Sequence, residues 1–240
     1  LRNFPGKKLI VSESTSALMT RGYYEMPSDH IYIRPESWDK PFEAPEHVCS
    51  SYDNCHVPWG STHEKTWHLV KTLPHVSGLF VWTGFDYLGE PTPYWWPSRS
   101  SFFGIVDLAG FPKDVYYMYK SEWTDEPVLH IFPHWNWKVG EPVDIWAYYN
   151  NADEVELYLN GKSLGVQQKT DSTYHVSWRV PFTPGTLRAV SRLGGKEVLV
   201  KEIHTAGEPA RLVLTPDRSV IQADGSDLSF VTVDLSLIHI

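Results

Sequence analysis

The 240-residue chain carries 21 Lys and Arg against 29 Asp and Glu, a net charge of -8, and is 42% hydrophobic and 21% charged. That balance excludes a disordered chain, which lacks the apolar surface to offset its ordering entropy. It also argues against nucleic acid or an anionic membrane as partner, since phosphates call for a basic face. The length allows one large domain or two ordinary ones. No apolar run approaches the roughly 18 residues of a spanning helix. The opening Leu1-Arg2-Asn3-Phe4-Pro5 has neither a signal-peptide pattern nor an initiator Met, so the chain reads as cut from a longer one. Aromatic residues reach 14%, with 11 Trp and 13 Tyr, which fits either stacking surfaces for flat ligand faces, sugars among them, or large sandwich cores. The two cysteines, Cys49 and Cys55, fit either a local disulfide or two buried thiols.

In chain order, Lys8-Leu9-Ile10-Val11-Ser12 is a short continuous apolar run, the pattern of a strand buried on both faces of a parallel sheet. Glu13 and the small polar Ser14-Thr15-Ser16 end it. Ser61 to Leu73 reads as a helix, with Ser61 or Thr62 as cap, Glu64 early, and Trp67, Val70 and Leu73 on one side. Ser77 to Trp82 repeats the strand design and runs into Thr83-Gly84-Phe85-Asp86-Tyr87. Strand, helix, strand predicts a right-handed crossover between parallel strands. A second helix is expected over Asp114 to Trp123. Two such units cannot close a barrel, but they suit the last quarter of one.

From about Val128 to His204 the pattern becomes short alternating strands with turn signals, an antiparallel sandwich. Asn160-Gly161, between Val155–Leu159 and Leu164–Val166, is its strongest hairpin signal. Ala210–Leu214 and Asp227–Asp234 give two further strands, too few for an independent domain. The closing Leu235-Ser236-Leu237-Ile238-His239-Ile240 is apolar without turn chemistry and reads as a truncation or read-through scar.

Metal chemistry finds little support. His47, Cys49, Cys55, His56, His63 and His68 crowd one stretch, but His63 and His68 are five apart, which rotates them off a common helical face. Cys49 and Cys55 are too widely spaced for a zinc knuckle. No Gly-rich phosphate loop or Gly-x-Ser-x-Gly elbow follows either strand, and no cofactor is expected. What remains is a carboxylate at a strand end, where (β/α)8 barrels carry their catalytic groups. Glu13 holds such a place, with Trp82, Asp86 and Glu90 near the neighbouring strand end. Glu13 fits either a nucleophile beside aromatic stacking surfaces, as retaining glycoside hydrolysis requires, or a capping or ion-paired carboxylate.

Lys8-Leu9-Ile10-Val11-Ser12-Glu13-Ser14-Thr15-Ser16-Ala17 resembles the nucleophile strand of glycoside hydrolase family 2, the β-galactosidase-like enzymes. Val81-Trp82-Thr83-Gly84-Phe85-Asp86-Tyr87-Leu88-Gly89-Glu90-Pro91-Thr92-Pro93-Tyr94 resembles the eighth-strand motif of its exported bacterial branch. Phe103-Gly104-Ile105-Val106-Asp107-Leu108-Ala109-Gly110-Phe111-Pro112-Lys113-Asp114 continues it, and the similarity runs to about Asp234. The resemblance implies a multidomain α/β plus all-β chain. Residues 1–124 would be the C-terminal part of a (β/α)8 barrel, 125–206 an Ig-like β-sandwich, and 207–240 the truncated start of a further Ig-like domain.

It also implies a retaining exo-acting glycosidase, foremost a β-galactosidase, although members of the family also act on β-glucuronides and β-mannosides. Glu13 would be the nucleophile, with Trp82 under the sugar and Asp86 and Glu90 as acceptors of hydroxyl hydrogen bonds or holders of the loop. The family's acid/base Glu would precede Leu1, leaving this chain inactive alone. The partners implied are an oligo- or polysaccharide with a terminal β-linked sugar and the missing N-terminal domains, in a periplasmic or extracellular setting. Tyr52, Asp53 and Trp59 are candidates for the outer pocket. A different reading makes the sandwich a non-catalytic carbohydrate-binding or structural module, with Trp135 and Trp137 either its platform or interface packing.

Overall fold

The computed structural model describes residues 6–37, 42–44 and 46–239, so the opening Leu1–Pro5 and the closing Ile240 lie outside the described residues. In chain order the elements are β1 (Leu9–Thr15), the two-residue strands β2 (Tyr32–Ile33) and β3 (Cys55–His56), α1 (His63–Thr72), β4 (Val76–Trp82) and α2 (Asp114–Trp123). There follow β5 (Leu129–Phe132), β6 (Pro142–Tyr149), β7 (Glu154–Leu159), β8 (Lys162–Gln167), β9 (His175–Pro181), β10 (Thr186–Leu193), β11 (Lys196–His204), β12 (Ala206–Pro216) and β13 (Val231–His239). Strands dominate and helices are few.

β1 and β4 pair in parallel, from Leu9 opposite Val76 to Thr15 opposite Trp82. Between Val11, opposite Leu79, and Ser14, opposite Val81, β1 advances one residue more than its partner. Ser12 and Glu13 therefore sit on a bulge, a device that re-aims a side chain. The expected burial of this pair on both faces is not found: Ile10 is 60% and Phe80 67% exposed. Their sheet has two strands among the described residues, which leaves their outer faces uncovered.

The hydroxyl of Thr62 caps α1 by accepting the N–H of Lys65 at 3.4 Å. The Asp53 carboxylate takes the N–H groups of His63 and Glu64 at 2.8 and 2.7 Å, satisfying two more of the donors that a helix start leaves open. The helix buries His63 and Thr66, whereas Leu73, read as part of its apolar side, is exposed at the C-cap. Trp67 donates its indole N–H to Glu122 on α2 at 2.9 Å and so ties the helices together.

The sandwich consists of the antiparallel sheets β5-β6-β9 and β11-β10-β7-β8. Leu129, Ile131, Val143, Ile145 and Trp178 from one sheet meet Val155, Leu157, Leu187 and Ala189 from the other in a common core. Asn160 and Gly161, both at positive φ, make the expected tight turn between β7 and β8. β12 and β13 form a separate antiparallel pair, with Leu212, Leu214, Val233 and Leu235 more than half exposed. The segment read as a scar continues β13 as far as His239, which lies opposite Ala206.

A second core joins the first part of the chain to the sandwich: Ala17, Met19, Tyr52, Val115, Met118 and Tyr119 pack with Phe132, Trp146, Tyr148 and Tyr174. Polar bonds surround it. The Tyr52 hydroxyl donates to the Asp144 carbonyl, and the Asp144 carboxylate accepts Ser28 N–H at 2.7 Å and Arg179 Nε at 2.6 Å. His130 reaches Asp114 at 2.8 Å, and His175 reaches Glu64 at 2.6 Å.

Candidate active site

Glu13 is exposed on the bulge, two residues before the point where β1 meets Trp82 of β4. Just beyond it the backbone turns through an unfavourable conformation: Thr15 has φ 102° and Ser16 φ 53°. A β-branched residue at such an angle is an outlier that costs on the order of 1–3 kcal/mol, and it persists only where its surroundings hold it. Here they do. Ser61 N–H donates to the Thr15 carbonyl at 2.8 Å, and the Thr15 hydroxyl donates to the Trp82 carbonyl at 3.3 Å. Gly60 lies so close that a Cβ on it would stand 2.6 and 2.7 Å from the Thr15 and Ser16 carbonyl oxygens. Backbone strain of this kind gathers at functional sites.

Trp82 is half-buried, edge-on to Tyr87 at 5.8 Å, and joined to Thr83 by a cis peptide. Thr83 is pinned by two backbone bonds, its N–H to the Phe103 carbonyl and its carbonyl to the Ile105 N–H. Gly104, between them, lies against the next turn, where a Cβ would come within 2.1 Å of the Asp86 nitrogen. Glu13 and Trp82 therefore share one end of the parallel pair. An exposed carboxylate at the same strand end as a partly open indole is chemically able to attack an electrophilic carbon brought to that end.

The other two candidates are each held by partners within the protein. Asp86 is turned inward: one carboxylate oxygen meets Lys113 Nζ at 2.7 Å and the other accepts Gly104 N–H at 2.8 Å. Burial raises the Asp86 carboxyl and lowers the Lys113 ammonium, while their contact pulls each back toward the charged form. Glu90 lies on the exposed loop at positive φ and accepts the Tyr87 hydroxyl; burial and this carboxylate together raise the Tyr87 phenol.

The outer-pocket expectation fails for Tyr52, which is fully buried in the shared core. Trp59 is 47% exposed. Asp53 does border a cavity of about 440 Å³, but its walls come from α1, β6, β9 and the loop at Ser28, and Glu13 is not among them. The carbohydrate-platform reading fails as well. Trp135 is fully buried in the sandwich core with its indole N–H on the Thr183 carbonyl, and Trp137 stacks on His134 and meets Tyr24 edge-on. Cys49 and Cys55 are both free buried thiols. His63 bonds to the Tyr119 hydroxyl and His68 to that of Tyr174. No group of three metal-ligating side chains occurs among the described residues.

Sequence reasoning missed the strained Thr15–Ser16 turn, Gly60 and the burial of Lys113. The Gly60 and Lys113 contacts come from segments far away in the chain. The bulge was also invisible, because it exists only relative to the register of β4.

Over part of their length, the chain is similar to β-galactosidases and to glycosyl hydrolases of family 2. It is 63% identical over 233 residues to "Beta-galactosidase BoGH2A" of Bacteroides ovatus, a match that takes in 97% of this chain and 27% of that protein. A β-glycosidase structure from Bacteroides vulgatus superposes with a TM-score of 0.81 at 31% identity, covering 98% of this chain and 32% of that one. A family 2 glycosyl hydrolase from Bacteroides cellulosilyticus gives a TM-score of 0.63 at 33% identity, over 72% of this chain and 27% of its own. Residues 140–199 match a family described as a domain of unknown function, DUF4982. The chain thus spans about a quarter to a third of these relatives.

Proposed function

We propose that this chain is the C-terminal part of a retaining exo-β-glycosidase in which Glu13 is the nucleophile. One observation carries the reading: an exposed carboxylate on a bulge near the C-terminal end of a parallel strand, two residues before a strained turn at Thr15, which is itself paired with Trp82. β1, α1, β4 and α2 are then the closing part of a (β/α)8 barrel over residues 1–124. Residues 125–206 form the Ig-like sandwich, and residues 207–240 open a further Ig-like domain.

Glu13 attacks the anomeric carbon while an acid about 5–5.5 Å away protonates the leaving oxygen, and water then releases the sugar from the glycosyl ester. That acid comes from the part of the protein preceding Leu1, so the 240-residue chain alone does not turn over. Trp82 lies under the apolar face of the sugar. The substrate is an oligo- or polysaccharide ending in a β-linked sugar, galactose first, since the relative at 63% identity is named a β-galactosidase. The setting is periplasmic or extracellular, as in the exported enzymes that the eighth-strand motif resembles.

The test is labelling of the full-length protein with a 2-fluoro-β-galactoside followed by peptide mapping. The label is expected on Glu13, and Glu13→Gln should cut turnover by orders of magnitude while the fold survives. Label on Asp86 or Glu90, with the Glu13→Gln protein still active, rejects the assignment.

A further inference from the structure

Lys113 is 1% exposed, an unusual place for an ammonium group. Its donors go to three different stretches of chain: Asp86 at 2.7 Å, the Met19 carbonyl at 2.7 Å and the Phe102 carbonyl at 3.4 Å. Met19 lies just past the strained turn that follows Glu13, and its own N–H donates to the Phe102 carbonyl at 2.9 Å. Asp86 lies four residues past Trp82 and, through Gly104, holds the loop that pins Thr83. The Lys113 N–H itself donates to the Ile105 carbonyl at 2.9 Å, immediately before α2 begins. The chain leaving β1, the chain leaving β4 and the loop entering α2 thus converge on one ammonium and one carboxylate.

Stability alone does not call for this arrangement. A buried ion pair seldom outperforms well-packed apolar side chains of the same volume, because desolvation offsets the Coulomb gain. What it adds is direction: three N–H bonds of fixed length, where an apolar side chain slides.

We propose that the Lys113–Asp86 ion pair is the positioning device of the active site, with Lys113 a positioning residue that fixes the strand end carrying Glu13 against the one carrying Trp82. This rests on the retaining-glycosidase reading above. It gives Asp86 an internal role in place of a contact to sugar hydroxyls.

The experiment uses the full-length enzyme with Lys113→Met, Asp86→Asn and the double variant Lys113→Met/Asp86→Leu. Melting temperature, kcat, KM and the rate of 2-fluoro-glycoside labelling are followed together. Labelling of wild-type Glu13 comes first, since its absence rejects the parent reading and is distinct from the outcomes below. Lys113→Met leaves a buried carboxylate unpaired and should lower the melting temperature, which the apolar pair of the double variant restores in part, since the Gly104 N–H and the Met19 carbonyl lose these partners. Turnover and labelling rate should nevertheless stay down by about 10²-fold in the double variant, the scale of a misplacement near 1 Å. KM should move by no more than about threefold. If turnover recovers together with melting temperature, the pair is a packing element and the proposal fails. Should the double variant not fold, Asp86→Asn decides: it keeps the shape and the bond from Gly104, and wild-type kcat in that variant overturns the proposal.

Discussion

At the scale of single residues, close backbone approaches hold the turn that follows Glu13. Gly60 touches the Thr15 and Ser16 carbonyls, and any side chain there must push the turn that follows Glu13. Gly60→Ala is expected to cost roughly 1–3 kcal/mol, as overpacking does, and to slow Glu13 labelling in the full-length protein. Wild-type labelling at unchanged stability would show that the turn yields freely. The strand positions of Glu13 and Trp82 were legible in the sequence because each stands at the end of an apolar run. Lys113 was not. A buried lysine leaves no periodic trace, and its partners lie at Asp86, Phe102 and Met19, up to 94 residues away.

At the scale of elements, α1 illustrates how burial and charge compete. Burial and the neighbouring Glu64 raise Asp53 from 3.8 to about 7, against the pull of the Glu64 and His63 N–H groups and of His175. The folded protein therefore holds this proton more tightly than the unfolded chain. The contribution of Asp53 is full below pH 3.8, erodes as the pH climbs to about 7, and levels off above it. Asp53→Asn cannot ionise, and its single carbonyl oxygen serves one of the two helix donors well. Its deficit in melting temperature should be largest near about pH 4 and shrink by about pH 7.5, measured in the full-length protein. A deficit that grows with pH contradicts this.

The sequence placed α1 within a residue or two of its observed ends and assigned its packing to Trp67, Val70 and Leu73; Trp67 does pack against the shared core, but Leu73 is exposed and the buried positions are His63 and Thr66. The physical reason is that its N-terminal turn packs on polar groups, Asp53 and the Tyr119 hydroxyl, which an apolar periodicity does not register. The sandwich strands were legible because alternation survives wherever one face is covered. β2 and β3, two residues each, are too short to carry any period.

At the scale of the whole molecule, apolar surface lies open on both outlying strand pairs, among other places. Ile10 and Phe80 flank the β1–β4 pair, and Leu212, Leu214 and Val233 line the β12–β13 pair. Open strand edges and apolar faces recruit other chains. The isolated 240-residue chain is expected to self-associate on size-exclusion chromatography, with loss of this behaviour in the full-length protein. A monodisperse monomer with cooperative thermal unfolding would contradict that.

The core shared by Tyr52, Met118 and Tyr119 with Phe132, Trp146 and Tyr148 bears on how such proteins are recombined. The recognised family segment, residues 140–199, omits β5, whose Leu129 and Ile131 lie in the sandwich core and whose Phe132 lies in the shared one. The segment that the family model matches is thus smaller than the unit that packs together. A sandwich grafted onto a foreign catalytic body would arrive with a bare aromatic face, unless the recipient supplied counterparts of Tyr52 and Met118. Lineages exchanging these pieces must therefore trade the seam along with the module.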